Sequence, residues 1–203
     1  MTSKLRLLLA TNNTGKVREY ALLLTDIPFK LATPADVGVK IKVAETGQTF
    51  ADNAKLKAEA YASASGLITL ADDSGLEVDV LAGKPGIQSA RYGGEGLSDQ
   101  ERYNLLLKEL QDISPERRTA RFYCVIAIAD PASGEVMLCD GECRGTITSE
   151  PHGELGFGYD PIFYVPEVGK TFAELTDEEK NRISHRARAT QKANEILRIM
   201  VRK

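Results

Sequence analysis

No stretch of this 203-residue sequence approaches the ~18 consecutive apolar residues that a membrane-spanning helix requires, so no span and no membrane partner are expected. The start, Met1-Thr2-Ser3-Lys4 and then a short apolar run, lacks a small-residue cleavage site, and a signal peptide is not expected. Cysteine is scarce. Cys124, Cys139 and Cys143 are odd in number and form no CxxC pair, which fits a reducing cytoplasm and reads as inert core or strand residues. A surplus of positive charge is also missing: 26 Lys and Arg face 29 Asp and Glu, a net charge of -3, which argues against a coat for nucleic acid. Repeats, low-complexity tracts and Ser/Pro-rich linkers are absent too. What is present is 42% hydrophobic and 27% charged, the averages of a soluble globular protein, and the length predicts one domain over residues 1–203.

Leu5 to Ala10 is a short apolar run broken by Arg6, the pattern of a buried strand. It runs into Thr11-Asn12-Asn13-Thr14-Gly15-Lys16, after which Val17, Tyr20, Ala21 and Leu24 recur at helical spacing. Strand, polar loop and helix open an α/β protein. Thr49 with Asp52 predicts the start of a second helix, carrying Phe50, Ala54, Ala58 and Tyr61 and ending near Gly66. Leu67 to Ala71 is a second apolar strand, predicted to stop at Asp72-Asp73-Ser74-Gly75. Five glycines and Pro85 between Gly83 and Gly96 predict a long shaped loop. Ser98 and Glu101 then cap a helix with Tyr103, Leu106, Leu107 and Leu110 on one side.

Further on, Phe122, Cys124, Ile126 and Ile128 alternate with Arg121, Tyr123, Val125 and Ala127. Turn residues from Asp130 to Glu135 and an extended run from Val136 to Cys139 complete a β-hairpin, so the sheet is expected to be mixed. Thr176 and Glu179 cap a C-terminal helical region, and Ala189, Ala193, Ile196, Leu197 and Met200 form an apolar stripe beyond Ser184.

Four regions can carry chemistry. The first loop places Lys16 after Gly15 but is no P-loop, because Ala10 stands where the first glycine belongs and Val17 replaces the Ser/Thr. It remains either an anion site at a helix N-terminus or an ordinary polar turn. Asp72 and Asp73 follow a buried strand, and adjacent strand residues face opposite ways, so one of the two is expected to enter a given pocket. With Glu45 they offer the hard oxygens that Mg²⁺ prefers, unless the segment only ends a strand. The third region, Gly153 to Phe163, interleaves aromatics with glycines and suits a flat ligand by stacking, although Tyr159 and Phe163 also fit a core. The last is basic: eight Lys and Arg from Lys180 to Lys203 against the single acid Glu195. Arg198, Arg202 and Lys203 read as a solvated face, whereas Ser184-His185-Arg186 sets two donors side by side toward phosphates or a base edge.

Taken in order, these segments resemble the family of inosine-triphosphate and dITP/XTP pyrophosphatases. The residues that carry the resemblance are Thr11 to Lys16, Glu45-Thr46-Gly47, Asn53 through Lys57, Ala71 to Leu76, Pro85-Gly86 to Arg91-Tyr92, Gly156 to Pro161, and Glu179-Lys180 with Ser184-His185-Arg186. The resemblance covers nearly the whole chain. It implies an elongated mixed β-sheet flanked by helices, two lobes with the active-site cleft between them, and a homodimer. It implies Mg²⁺-assisted hydrolysis of noncanonical purine nucleoside triphosphates (ITP/dITP, XTP) to the monophosphate and pyrophosphate. In that scheme Thr11, Asn12, Asn13, Thr14, Gly15 and Lys16 cradle the phosphates. Glu45 and Asp73 hold the metal, and Asp73 accepts the water's proton. Lys57, Ser74 and Lys180 contact substrate, while Phe157, Gly158, Tyr159, Asp160, His185 and Arg186 hold the purine.

Base choice follows from donors and acceptors. A 6-oxo group is an acceptor that Arg186 or a backbone N–H can satisfy, whereas adenine's 6-amino group sets donor against donor at ~1–3 kcal/mol. Two other readings stand beside this one: a septum-inhibitor-type pyrophosphatase for modified or pyrimidine nucleotides, and a nucleotide-binding protein without catalysis. The second leaves Glu45 and Asp73 unexplained, since bare carboxylates repel phosphates.

Overall fold

The computed structural model describes residues 5–201. The expectations for Met1 to Lys4 and for Arg202 and Lys203 lie outside them. The elements follow in the order β1 (Leu5–Leu9), α1 (Thr14–Leu23), β2 (Phe29–Ala32), α2 (Phe50–Ser65), β3 (Ile68–Val78), α3 (Asp99–Glu109), β4 (Thr119–Ala129), β5 (Val136–Ile147), β6 (Phe163–Val165), β7 (Lys170–Thr171), α4 (Asp177–Ile183) and α5 (His185–Met200). The sheet runs β2-β1-β3-β4-β5-β6-β7. β1 pairs in parallel with β2 and β3, whereas β5–β6 and β6–β7 are antiparallel, so the sheet is mixed as expected.

Local signals placed the helices well. Reciprocal capping boxes at Thr49/Asp52, Ser98/Glu101 and Thr176/Glu179 satisfy backbone donors that a helix start leaves without intrahelical partners. α2 ends at Gly66, whose φ of 68° is the left-handed conformation that glycine reaches without a Cβ clash.

Two strand readings need correction. β3 does not stop at Ala71 but continues to Val78, with Asp72 and Asp73 as ladder residues. Their carboxylates meet side-chain cations and so are not spent on turn chemistry. β4 alternates only as far as Tyr123. Beyond it Val125 and Ala127 are as buried as Ile126 and Ile128, the mark of a strand covered on both faces. The Gly83–Gly96 segment contains a 3-10 turn over Gly86–Arg91.

The chain divides into two compact units, each built from separate stretches of sequence. The first takes the described residues up to Asp73, with Cys124–Gly141 and the chain from Arg186 onward. Its core joins Leu7, Leu9, Leu70, Ile126 and Ile128 of the strands to Tyr20 of α1 and to Ala189, Ala193 and Leu197 of α5. The second takes Ser74–Tyr123 and Glu142–His185. Its core gathers Leu76, Leu106, Leu110, Phe122, Tyr159, Phe163 and Phe172. Each fully buried Leu or Phe of these clusters contributes about 1.5–3 kcal/mol.

Candidate active site

In the first unit, β1 ends in the polar loop and α1 begins at Thr14. Asn13 caps that helix, its Oδ1 accepting from the Lys16 amide at 3.0 Å, while Thr11 Oγ1 accepts from the Asn13 amide at 3.2 Å. Asn12, Asn13 and Thr14 are exposed, and Thr11, Gly15 and Lys16 are half-buried. The loop is thus a built helix N-terminus, the kind of place where an anion is stabilised.

Asp72 and Asp73 serve different cations, as alternation along a strand requires. Asp72 Oδ2 accepts from Lys16 Nζ at 2.8 Å and faces Arg186 Nη2 at 3.4 Å, with the Cys124 thiol at 3.9 Å. Arg186 Nη1 reaches Glu19 Oε2 at 2.5 Å, and its guanidinium lies 5.9 Å from the Tyr20 ring centroid. Burial alone would raise the Asp72 carboxyl, but Lys16 and Arg186 outweigh it and hold the group well below the usual carboxylate range.

Asp73 turns to α2. Its Oδ1 accepts from Lys57 Nζ at 3.1 Å and its Oδ2 from Asn53 Nδ2 at 3.2 Å. The same ammonium donates to Glu45 Oε1 at 2.7 Å, so Glu45 and Asp73 converge on one point. Burial pushes the Asp73 carboxyl up, and Glu45 adds to the effect. Lys57 opposes both, but one ammonium shared by two carboxylates does not neutralise them, and the net direction is upward. For Lys57, burial disfavours the charge, yet Asp73, Asp72 and Glu45 prevail and tighten its proton.

Asn53, absent from the site residues expected from sequence, bridges Asp73 and the loop, since its Oδ1 accepts from the Gly47 amide at 2.8 Å. The available signal was its i,i+4 spacing from Lys57 on α2. Gly47 is required there, because a Cβ would overlap Asp52 and Asn53.

Among the described residues, no group of three or more His, Cys, Asp and Glu is arranged to hold a metal. Glu45 and Asp73 are two hard-oxygen donors meeting at a cationic point. That set suits a hard divalent cation, which one or two carboxylates can hold with phosphates and water completing the shell.

The second unit holds the rest. Lys180 is buried, with its Nζ 2.5 Å from Asp160 Oδ2 and over the rings of Phe157 at 5.0 Å and Phe172 at 5.3 Å. His185 is buried against Phe122, with centroids 4.7 Å apart and planes 11° off parallel. Phe157 and Gly158 are half-buried, and the Phe157 amide donates to Asp160 Oδ2 at 2.9 Å. Tyr159 belongs to the core and its hydroxyl donates to the Ser89 carbonyl at 2.9 Å. Ser74 follows Asp73 on β3 and is half-buried.

Two expectations therefore meet a different local arrangement. Arg186 was expected to face a ligand's base edge, but its guanidinium is 2% exposed and engaged by Glu19 and Asp72. His185 lies in an aromatic stack. Glu19 is a buried acid that the helical pattern of α1 gave no reason to single out. The cysteines are buried and in no disulfide, and burial pushes the Cys139 thiol up to about 12, consistent with an unreactive group there.

A mixed α/β sheet with a capped polar helix start and two carboxylates converging on a lysine is an arrangement suited to phosphate esters or anhydrides. The chain belongs to the Ham1 family, whose profile matches residues 7–196. Similar proteins include the dITP/XTP pyrophosphatase of Desulforamulus reducens, 51% identical over 193 residues covering 95% of this chain and 96% of that one. The dITP/XTP pyrophosphatase of Bacillus subtilis is 47% identical, over 94% and 96% of the two chains. Among solved structures, a Ham1 protein from Coxiella burnetii superposes with a TM-score of 0.86 at 41% identity, over 95% of this chain and 98% of that one. The Ham1 protein of Staphylococcus aureus gives 0.84 at 42% identity, over 95% and 97%. No helix of the described residues is long and apolar enough to cross a membrane.

Proposed function

We propose that this protein hydrolyses noncanonical purine nucleoside triphosphates, ITP/dITP and XTP, to the monophosphate and pyrophosphate. The observation that carries the reading is the convergence of Glu45 and Asp73 on the Lys57 ammonium, at 2.7 and 3.1 Å. Two acids set against a cation beside an anion loop are a liability for a protein that only binds phosphates. They are what in-line hydrolysis needs.

In the reaction a water oxygen attacks the α-phosphorus, the bond from that phosphorus to the bridging oxygen of the β-phosphate breaks, and pyrophosphate leaves with the electron pair. Asp73 takes the water's proton. Burial and the neighbouring Glu45 raise its carboxyl, which makes it a better base than an exposed aspartate. Thr11 to Lys16 hold phosphate oxygens through backbone donors and the Lys16 charge, and Lys57 contributes a second ammonium. Held by Glu45 and Asp73, Mg²⁺ would supply charge neutralisation for the polyphosphate.

The purine falls to residues of the second unit. Phe157 offers a ring face, Gly158 close backbone approach, and Lys180 a charge over that ring, with Tyr159 and Asp160 holding the loop. The buried stack at His185 and the ion pairs of Arg186 support a role for these two in holding the shape of the site. A homodimer in the cytoplasm goes with this reading, and light scattering on the purified protein checks the first part.

The deciding experiment is pyrophosphate release with Mg²⁺ across ITP, dITP, XTP, GTP, ATP, dUTP and dTTP. Preference for the 6-oxopurines ITP, dITP and XTP is expected. A preference for dTTP or dUTP would overturn the purine assignment in favour of the septum-inhibitor type, and tight ITP binding without pyrophosphate release would mark a non-catalytic protein.

A further inference from the structure

The loop 156–160 is glycine-rich and turns through positive φ at Gly156 (78°) and Gly158 (63°), so its own backbone does little to hold one shape. It is held from outside. The Gly158 amide donates to Asp99 Oδ2 at 2.7 Å, from the first turn of α3, 59 residues away in sequence. The other oxygen of Asp99 accepts from Arg102 Nη1 at 3.2 Å, and Arg102, itself buried, anchors to the Leu97 carbonyl at 2.8 Å. The preceding amide, of Phe157, is taken by Asp160. Two consecutive amides of the loop are thus clamped by two different carboxylates, which constrains the backbone that carries the Phe157 ring.

We propose that Asp99 is a positioning residue that fixes the Phe157–Gly158 segment and thereby sets how sharply the enzyme separates 6-oxopurine from 6-aminopurine nucleotides. This rests on the reading that the segment holds the base. With Asp99 removed, the segment samples further conformations, and ordering it on each binding event weakens substrate binding without touching the reacting atoms. Asp99 is not among the residues proposed to hold the metal, the water or the phosphates, so the chemical step is expected to be left as it was.

The test uses the full chain with Asp99→Ala and Asp99→Asn, measuring kcat and KM on ITP and ATP with Mg²⁺, melting temperature, and amide hydrogen exchange at Gly158. In Asp99→Ala the KM for ITP is expected to rise by about tenfold, the scale of a lost hydrogen bond to a charged group, with kcat within about twofold. The ratio of kcat/KM between ITP and ATP falls, and Gly158 exchanges faster. Asp99→Asn restores both, because its side-chain oxygen still accepts from the Gly158 amide. An unchanged KM and ratio with faster Gly158 exchange would overturn the proposal. So would an Asn variant as impaired as the Ala variant, or a uniform fall in kcat that tracks melting temperature. A wild-type protein that releases no pyrophosphate from ITP defeats the proposed function itself, and is recognised before any variant is made.

Discussion

The two units handle buried charge in different ways. In the first, Glu19, Arg186, Asp72 and Lys16 form a chain of alternating sign, and Lys57 stands between Asp73 and Glu45. In the second, Lys180 pairs with Asp160 under the rings of Phe157 and Phe172, beside a stack of Phe122, His185 and Phe172. An alternating chain keeps ionised groups ionised while sharing the cost of burial, which suits a site that must meet a polyanion. One pair inside aromatic walls fixes shape, which suits recognition of a flat base. Within the first unit two neighbours also differ, because Asp72 is held by Lys16 and Arg186 and Asp73 by Lys57 and Asn53.

The largest effect expected is on Asp73. Asp73→Asn should lower kcat on ITP by roughly 10²–10⁴-fold, the usual share of a general base. Its melting temperature at neutral pH should stay level or rise, because a carboxylate that burial disfavours has been made neutral. Wild-type turnover in this variant would remove Asp73 from the mechanism. Next is Arg186→Leu, which leaves Glu19 and Asp72 buried without their guanidinium and should cost about 3–5 kcal/mol in urea unfolding. Activity on ITP and ATP should fall together. A selective loss on ITP would return Arg186 to the base edge.

The pH dependence separates the neighbours by sign. Asp72 is depressed in the folded state, so it stabilises above the ordinary carboxylate value near ~4 and loses that contribution as pH falls through and below it. Asp72→Asn should therefore flatten the acid decline in stability. Asp73 is raised, so its charge costs stability at neutral pH and the cost is relieved as pH falls. With Asp73 as the proposed base, the same shift should make activity fall on the acid side as it takes up a proton. Lys57→Met, by removing the opposing charge, should move that acid limb to higher pH, and an unmoved limb would mean that Asp73 is not the group it reports. The smallest effect compares the units directly. Thr49→Ala and Ser98→Ala each remove a helix cap and should cost about 1 kcal/mol in thermal unfolding, alike in both.

Much of the fold was legible because its signals are short-range. The capping boxes, the αL glycine after α2 and the apolar stripe of α5 each lie within a few residues, and the structure places them where the pattern did. β2, β6 and β7, of four, three and two residues, are too short to carry a period. The end of β3 was misread because Asp72-Asp73-Ser74-Gly75 is turn composition, and only the place of β3 between β1 and β4 in the sheet makes it a strand. Glu19 escaped notice for the same reason, since an acid in a helix is ordinarily solvated and this one is buried under Arg186.

The amino-acid order alone set where helices begin, where the loops bend, and that an anion loop, two acids and a glycine-aromatic segment would all be present. Which acid serves which cation was decided by the tertiary structure. The ammonium that pairs with Asp72 comes from 56 positions away and the guanidinium from 114, and at such separations only the folded chain brings charges close enough for Coulomb attraction to overcome desolvation.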